Sequence, residues 1–230
     1  MSGGVFLAAG AVKTAVESLL ASGAWIGERP RVSFGTVGAL RDRILAGEEF
    51  DATVLSAEAI EQVAERGFVD RACIRPLGTT GMGLAVREGL ALPVIETEAG
   101  LLEALAQAER IAWADPSSGA TAGRHFAAVI DRLGIAEAVR RKSLLFSFGV
   151  EAVAACARGE ADVAVSQATE IVGRPGVRLL GLFPPPHALV TAYAAAARPG
   201  STAAGKIIAT LTGPAGRAAL AAIGFMREES

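Results

Sequence analysis

Four short segments place glycine, alanine and hydroxyl side chains directly after apolar, β-prone runs. They are Ala8-Ala9-Gly10-Ala11, Gly35-Thr36-Val37-Gly38, Ser117-Ser118-Gly119-Ala120-Thr121-Ala122-Gly123 and Ser166-Gln167-Ala168-Thr169. The first turn of a helix carries unpaired N–H groups and the positive end of the helix dipole, and small side chains let a ligand approach both. The chemistry these residue types offer is hydrogen bonding to a small anion. Gly10, Ala11, Thr36, Val37, Ser117, Ser118, Thr121 and Gln167 are its candidate ligand contacts. Any one loop alone is equally explained by turn geometry, because glycine accepts backbone angles that other residues resist.

Such loops need strands to deliver them and helices to receive them. Val5 to Ala8, Arg31 to Phe34 and Ala52 to Leu55 read as short strands. They are followed by helical patterns over Ala11 to Leu20, Gly38 to Leu45 and Ala57 to Arg66. Three β-then-α units in succession predict a parallel sheet with helices on its faces. Glycines interrupt a β-like run over Arg75 to Val86, as at a crossing into a second lobe. The alternation then restarts: helix over Ala99 to Ala108, strand over Arg110 to Ala114, helices over Arg124 to Leu133 and Val150 to Arg158, strand over Ala161 to Ser166. Three prolines ahead of His187 and an apolar strand mark a return crossing, and Lys206 to Ala222 forms a closing helix broken at Gly213-Pro214. The expected architecture is α/β and two-lobed. Lobe I comprises residues 1–79 and 193–230, lobe II residues 84–187, with hinge crossings at about 79–83 and 188–193. Ligands in open parallel sheets sit outside the carboxyl ends of the strands, so the four loops are expected to line a site between the lobes.

The 230 residues are 51% hydrophobic and 20% charged, and 22 basic side chains face 24 acidic ones for a formal charge of -2. That balance excludes the basic stripe a nucleic-acid partner would need. Cys73 and Cys156 lack metal-ligand spacing and read as buried thiols. No basic region precedes the apolar N-terminal stretch, which turns amphipathic within a dozen residues, so it does not read as a signal peptide. No apolar run reaches the roughly 20 residues of a membrane span. The chain is therefore expected in the periplasm if a leader has been removed, and otherwise in the cytoplasm.

Read in order, "LAAGAVKTAV", "GTVGAL", "DATVLSAEAIEQV", "ADPSSGATAGRHF", "ACARGEADVAVSQATEI" and "LTGPAGRAALAAIGF" run nearly the full length. Together they resemble the molybdate-binding branch of the type II periplasmic substrate-binding proteins. The resemblance implies the two-lobed fold, capture of an anion between the lobes, hinge closure and an ABC permease as partner. It implies no cofactor, the bound ligand being molybdate, tungstate or an organic carboxylate. Where that family places serines and a tyrosine around the oxyanion, this chain has Ala11, Thr36-Val37 and Gln167, and its Asp-Pro loop is longer and richer in hydroxyls. The expected pocket is therefore a rebuilt one.

Some proteins similar to this family are aconitate isomerases, which shift a double bond by taking and returning a proton. Such chemistry needs a base near a carbon-bound proton and a setting that stabilises enolate-like charge. Under this alternative His125, Glu170 or Asp115 would be the base and Arg124 or Lys13 the counter-charge. Each has a simpler reading: Lys13 on a solvated face, Arg124 and His125 in ion pairs at a helix start, Asp115 in a turn, and Glu170 complementing a helix dipole. A solute-binding protein and an isomerase both remain open on the residues alone.

Overall fold

Short runs rich in Val, Phe and Ala form strands, and the small or polar residue that ends each run starts the following helix. In the computed structural model of the chain, which describes residues 3–226, the first unit comprises 3–79 and 191–226, and the second 80–190.

In the first unit, β1 (Val5–Ala9), β2 (Arg31–Gly35) and β3 (Ala52–Ser56) are parallel, with β1 in the centre. Each is followed by a helix: α1 (Lys13–Ala21, after a 3-10 turn at Gly10–Val12), α2 (Val37–Leu45) and α3 (Ala57–Glu65). In α3, Ala59, Ile60, Val63 and Ala64 are buried, the spacing that puts one helix face on a core. A long strand, β4 (Arg75–Arg87), leaves this unit, with Thr79 bridging Met226.

The second unit is built on β4 and on β5 (Ile111–Ala114), β6 (Ser143–Phe146), β7 (Val163–Gln167) and β8 (Val177–Leu182). β6, β5 and β7 are parallel neighbours, whereas β4 runs antiparallel to both β7 and β8. Its helices are α4 (Glu98–Gln107), α5 (Thr121–Arg132), α6 (Ala136–Arg141), α7 (Gly149–Ala157) and the single turn α8 (Ala168–Ile171). The Lys142 ammonium donates to the carbonyls of Leu105, Ala106 and Ala108, which fills the acceptors left open at the end of α4. The Pro185–Pro186 peptide is cis. The chain then forms β9 (Val190–Ala197), antiparallel to β3, and ends in α9 (Ala204–Thr212) and α10 (Pro214–Ala222).

Each unit buries its own hydrophobic core. Phe6, Leu7, Leu40, Ile44, Leu55 and Ile60 fill the first. In the second, Phe126 meets Trp113 and Phe183 edge-on at ring-centre distances of 5.1 and 5.9 Å. The cysteines are free thiols; Cys156 is buried as expected, but Cys73 is only half-buried. No described helix is long and apolar enough to cross a membrane.

Candidate functional site

Parallel pairing aligns the ends of β1, β2 and β3 in the first unit. Ala9 lies opposite Gly35 and Ala8 opposite Val54, so Gly10-Ala11, Thr36-Val37 and Ser56-Ala57 follow one another along one sheet edge. Each pair opens onto a helical turn. The Thr36 hydroxyl accepts the Ala39 N–H of α2 at 3.2 Å, and the Ser56 hydroxyl accepts the Ala59 N–H of α3 at 3.3 Å. Gly35 serves packing: a Cβ there would press on the fully buried Leu40 side chain at 2.9 Å. Lys13 stands 5.6 Å from the Phe34 ring and 3.8 Å from Glu17, half-buried on the flank of these loops. Ser56, a hydroxyl at the same edge, was not among the sequence candidates. Its signal was the Ser-Ala pair closing a strand.

In the second unit Trp113 pairs with Val165 and Ala114 with Phe146. The 115–121 loop, Gln167-Ala168 and Phe148-Gly149 therefore leave the same edge of the β6-β5-β7 array. The Asp115 carboxylate accepts the Ser117 N–H at 2.8 Å and the Ser117 hydroxyl at 2.6 Å, and these bonds hold it below the usual carboxylate range. The Ser117 proton is thus committed to Asp115, and Asp115 acts as a turn former. Ser118 is half-buried in the 3-10 turn, and Gly119 takes a left-handed conformation at φ 79°. Thr121 is the first residue of α5. Gln167 ends β7 and is 4% exposed.

α5 begins three residues before the expected start at Arg124. Gly123 permits this, since a Cβ there would overlap the Ala114 carbonyl oxygen, and α5 approaches β5 closely at that point. Arg124 and His125 accordingly lie inside the helix, Arg124 exposed to solvent. His125 Nε2 lies 2.9 Å from the His187 carbonyl and donates to it. His187 is 1% exposed. Its Nδ1 faces the Arg132 guanidinium at 3.4 Å and its Nε2 faces Glu98 at 2.8 Å. A guanidinium only donates, so Nδ1 accepts and the Nε2 proton goes to Glu98. His187 is thus a buried imidazole held between the exposed side chains of Glu98 on α4 and Arg132 on α5.

Glu170 lies in a separate cluster. Its carboxyl is hydrogen-bonded to the buried Ser166 hydroxyl, receives the Gln167 backbone N–H, and is pushed up by burial against these bonds and Arg174. The hydrogen-bond partners of His125 and Glu170 do not overlap. The structure therefore groups Gly10, Ala11, Thr36 and Val37 at one strand-end edge, and Ser117, Ser118, Thr121 and Gln167 at another. Among the described residues no group of three or more His, Cys, Asp or Glu is arranged to hold a metal ion.

Strand-end loops feeding helix starts in each of two α/β units define a two-lobed binding-protein fold. A profile of the bacterial extracellular solute-binding proteins matches residues 5–226, and the chain belongs to that family. It is similar in fold to the periplasmic molybdate-binding protein of Azotobacter vinelandii, with a TM-score of 0.75, 18% identity and coverage of 98% of this chain and 99% of that one. The sulfate-binding protein of Mycobacterium tuberculosis H37Rv gives a TM-score of 0.69 at 18% identity, over 100% of this chain and 88% of that one. An aconitate isomerase from a Pseudomonas species is 27% identical over 162 residues. That match takes in 70% of this chain and spans 60% of the relative's length.

Proposed function

We propose that this solute-binding protein captures a small oxyanion or carboxylate at the strand-end loops of its two units, and delivers it outside the cytoplasm to an ABC-type permease. The observation that carries the reading is the alignment of Gly10-Ala11, Thr36-Val37 and Ser56-Ala57 along one parallel edge, each opening a helical turn. Backbone N–H groups and capping hydroxyls there supply the attraction for an anion that a chain of net charge -2 lacks overall. Ala11, Val37 and Gln167 favour a ligand other than molybdate, because each hydroxyl lost from an oxyanion pocket leaves a ligand oxygen desolvated without a donor.

Thermal unfolding with molybdate, tungstate, sulfate, citrate and trans-aconitate tests this. A ligand at a hundredfold excess over its Kd stabilises the folded protein by about 2.7 kcal/mol. At least one anion should raise Tm, and Thr36→Ala should weaken its effect. No shift with any of them would refute the reading.

A second reading, isomerisation of an unsaturated polycarboxylate, draws on the likeness to an aconitate isomerase and on the upward-shifted Glu170 carboxyl, a property suited to proton transfer. Interconversion of trans- and cis-aconitate by the purified protein, abolished by Glu170→Gln, would establish it. Tight binding without turnover would dismiss it.

A further inference from the structure

The anion reading gives no task to the enclosed carboxyl of Glu170. Three features of the fold enclose it. Ser166, fully buried on β7, points its hydroxyl at the carboxyl four residues on. Gly149 opens α7 directly over the pair, where a Cβ would overlap both the Ser166 oxygen and a Glu170 oxygen. The Gln167 N–H also reaches the carboxyl. The neighbouring Thr169 hydroxyl, on a residue 2% exposed, has no hydrogen-bond partner among the described residues.

Charges from the packed elements do little to hold Glu170 ionised. On α7, Glu151 accepts the Phe148 N–H, and just past its end Arg158 pairs with Glu160. β8 carries Arg178, and β7 carries no charged residue. Arg174, just beyond α8, is the cation that acts on the carboxyl, and burial outweighs it.

We propose that the Ser166–Glu170 pair is a proton-coupled positioning element of the anion site, with Glu170 protonated whenever an anion occupies the Gln167 loop. This rests on the anion-capture reading. The Gln167 N–H reaches the Glu170 carboxyl directly, so an anion at the Gln167 loop adds its negative potential to a carboxyl that burial already disfavours as an ion, and neighbouring like charges disfavour ionisation further. By linkage, a ligand that raises the proton affinity of Glu170 is itself held more tightly when the proton is present. Capture is then tightest at pH values below the titration of Glu170 in the free protein and weakens above it, with uptake of up to one proton per anion. Glutamine in place of Glu170 keeps the shape and a donor toward Ser166 but cannot ionise.

Calorimetry from pH 6 to 9, in two buffers of different ionisation enthalpy, reads the coupling with whichever of molybdate, sulfate, citrate or trans-aconitate shifts Tm. The wild-type protein should take up protons and lose up to tenfold in affinity per pH unit above the titration. Glu170→Gln should show neither, and because the probe's own titration is common to both proteins the difference belongs to Glu170. Infrared difference spectra of the two proteins without any probe, recorded from pH 9 down to 6, should show a protonated-carboxylic-acid band that grows as pH falls in the wild type alone. Absence of that band overturns the proposal whether or not an anion binds. Binding with identical pH profiles in both proteins overturns the coupling and leaves anion capture standing. A band without binding of any probe overturns anion capture, and the coupling with it. Should Glu170→Gln fail to fold, the two-buffer measurement on wild type decides alone: no proton uptake refutes the proposal.

Discussion

Phe126→Ala should cost the second unit about 3–5 kcal/mol of stability, the range for a fully buried phenylalanine. Phe126 retains none of its surface, so the transfer of its ring alone accounts for about 1.5–3 kcal/mol. Its edge-on contacts with Trp113 at 5.1 Å and Phe183 at 5.9 Å add roughly 0.5–1.5 kcal/mol each. Phe126→Leu keeps much of the volume and loses the ring contacts, so its cost should fall to about 1–3 kcal/mol. The two tryptophans make the assay selective, since Trp25 lies in the core of the first unit and Trp113 in that of the second. In a Trp25→Phe background, urea unfolding followed by fluorescence reports on the second unit through Trp113. Natural domains have about 5–15 kcal/mol in total, so the alanine variant should unfold at a far lower urea concentration. A loss below about 1 kcal/mol for alanine, or equal losses for alanine and leucine, would refute the view that the three rings hold α5 against β5.

Other expectations follow from the caps and the titrating groups. Thr36→Ala should lower stability by about 1 kcal/mol through loss of the α2 cap, and Thr36→Ser should restore most of it, as thermal unfolding without ligand will show. Burial raises the Cys156 thiol from 9.0 to about 12, so the folded protein holds a proton there that the unfolded chain releases above pH 9. Stability should accordingly fall as pH rises from about 9 to 12, and Cys156→Ala should flatten that part of a urea-midpoint profile. Thiol reagents at neutral pH should modify half-buried Cys73 before Cys156. Ser117→Ala should let the Asp115 carboxyl titrate closer to its ordinary value of 3.8, an upward move measurable by NMR.

The first unit is largely legible in the sequence because each strand is a short apolar run and each helix begins at a small or hydroxyl residue. Val5–Ala9, Arg31–Gly35 and Ala52–Ser56 each extend one residue past the strands read from pattern, and α3 ends one residue sooner. The second unit is less legible. β6 and β8 have no counterpart in the pattern reading: Ser143–Phe146 is a four-residue edge strand with no fully buried position, and Val177–Leu182 buries only its first residue. Half-exposed strands lack the continuous apolar signature that marks β1 or β3. The single turn α8 is too short to show any periodicity.

At the candidate site, the loops are visible from residue types, whereas the use each side chain makes of its atoms is not. Ser117 as a partner of Asp115, His125 as a donor to the His187 carbonyl and Glu170 as a partner of Ser166 all depend on side-chain direction. The clearest case is Gly149. In the sequence it is an unremarked residue before a helix, yet in the fold its missing side chain is what admits the Glu170 carboxyl.

The antiparallel partner of β3 comes from β9, which begins where the second unit ends in the chain. During synthesis the ribosome must therefore release 80–190 before the sheet of the first unit can gain its last strand. The inserted half is available to fold from a contiguous stretch, while the outer half waits with the flank of Ala52–Ser56 unpaired. A nascent chain arrested soon after Val190 would expose that flank, an unpaired strand edge of the kind that invites association with other chains.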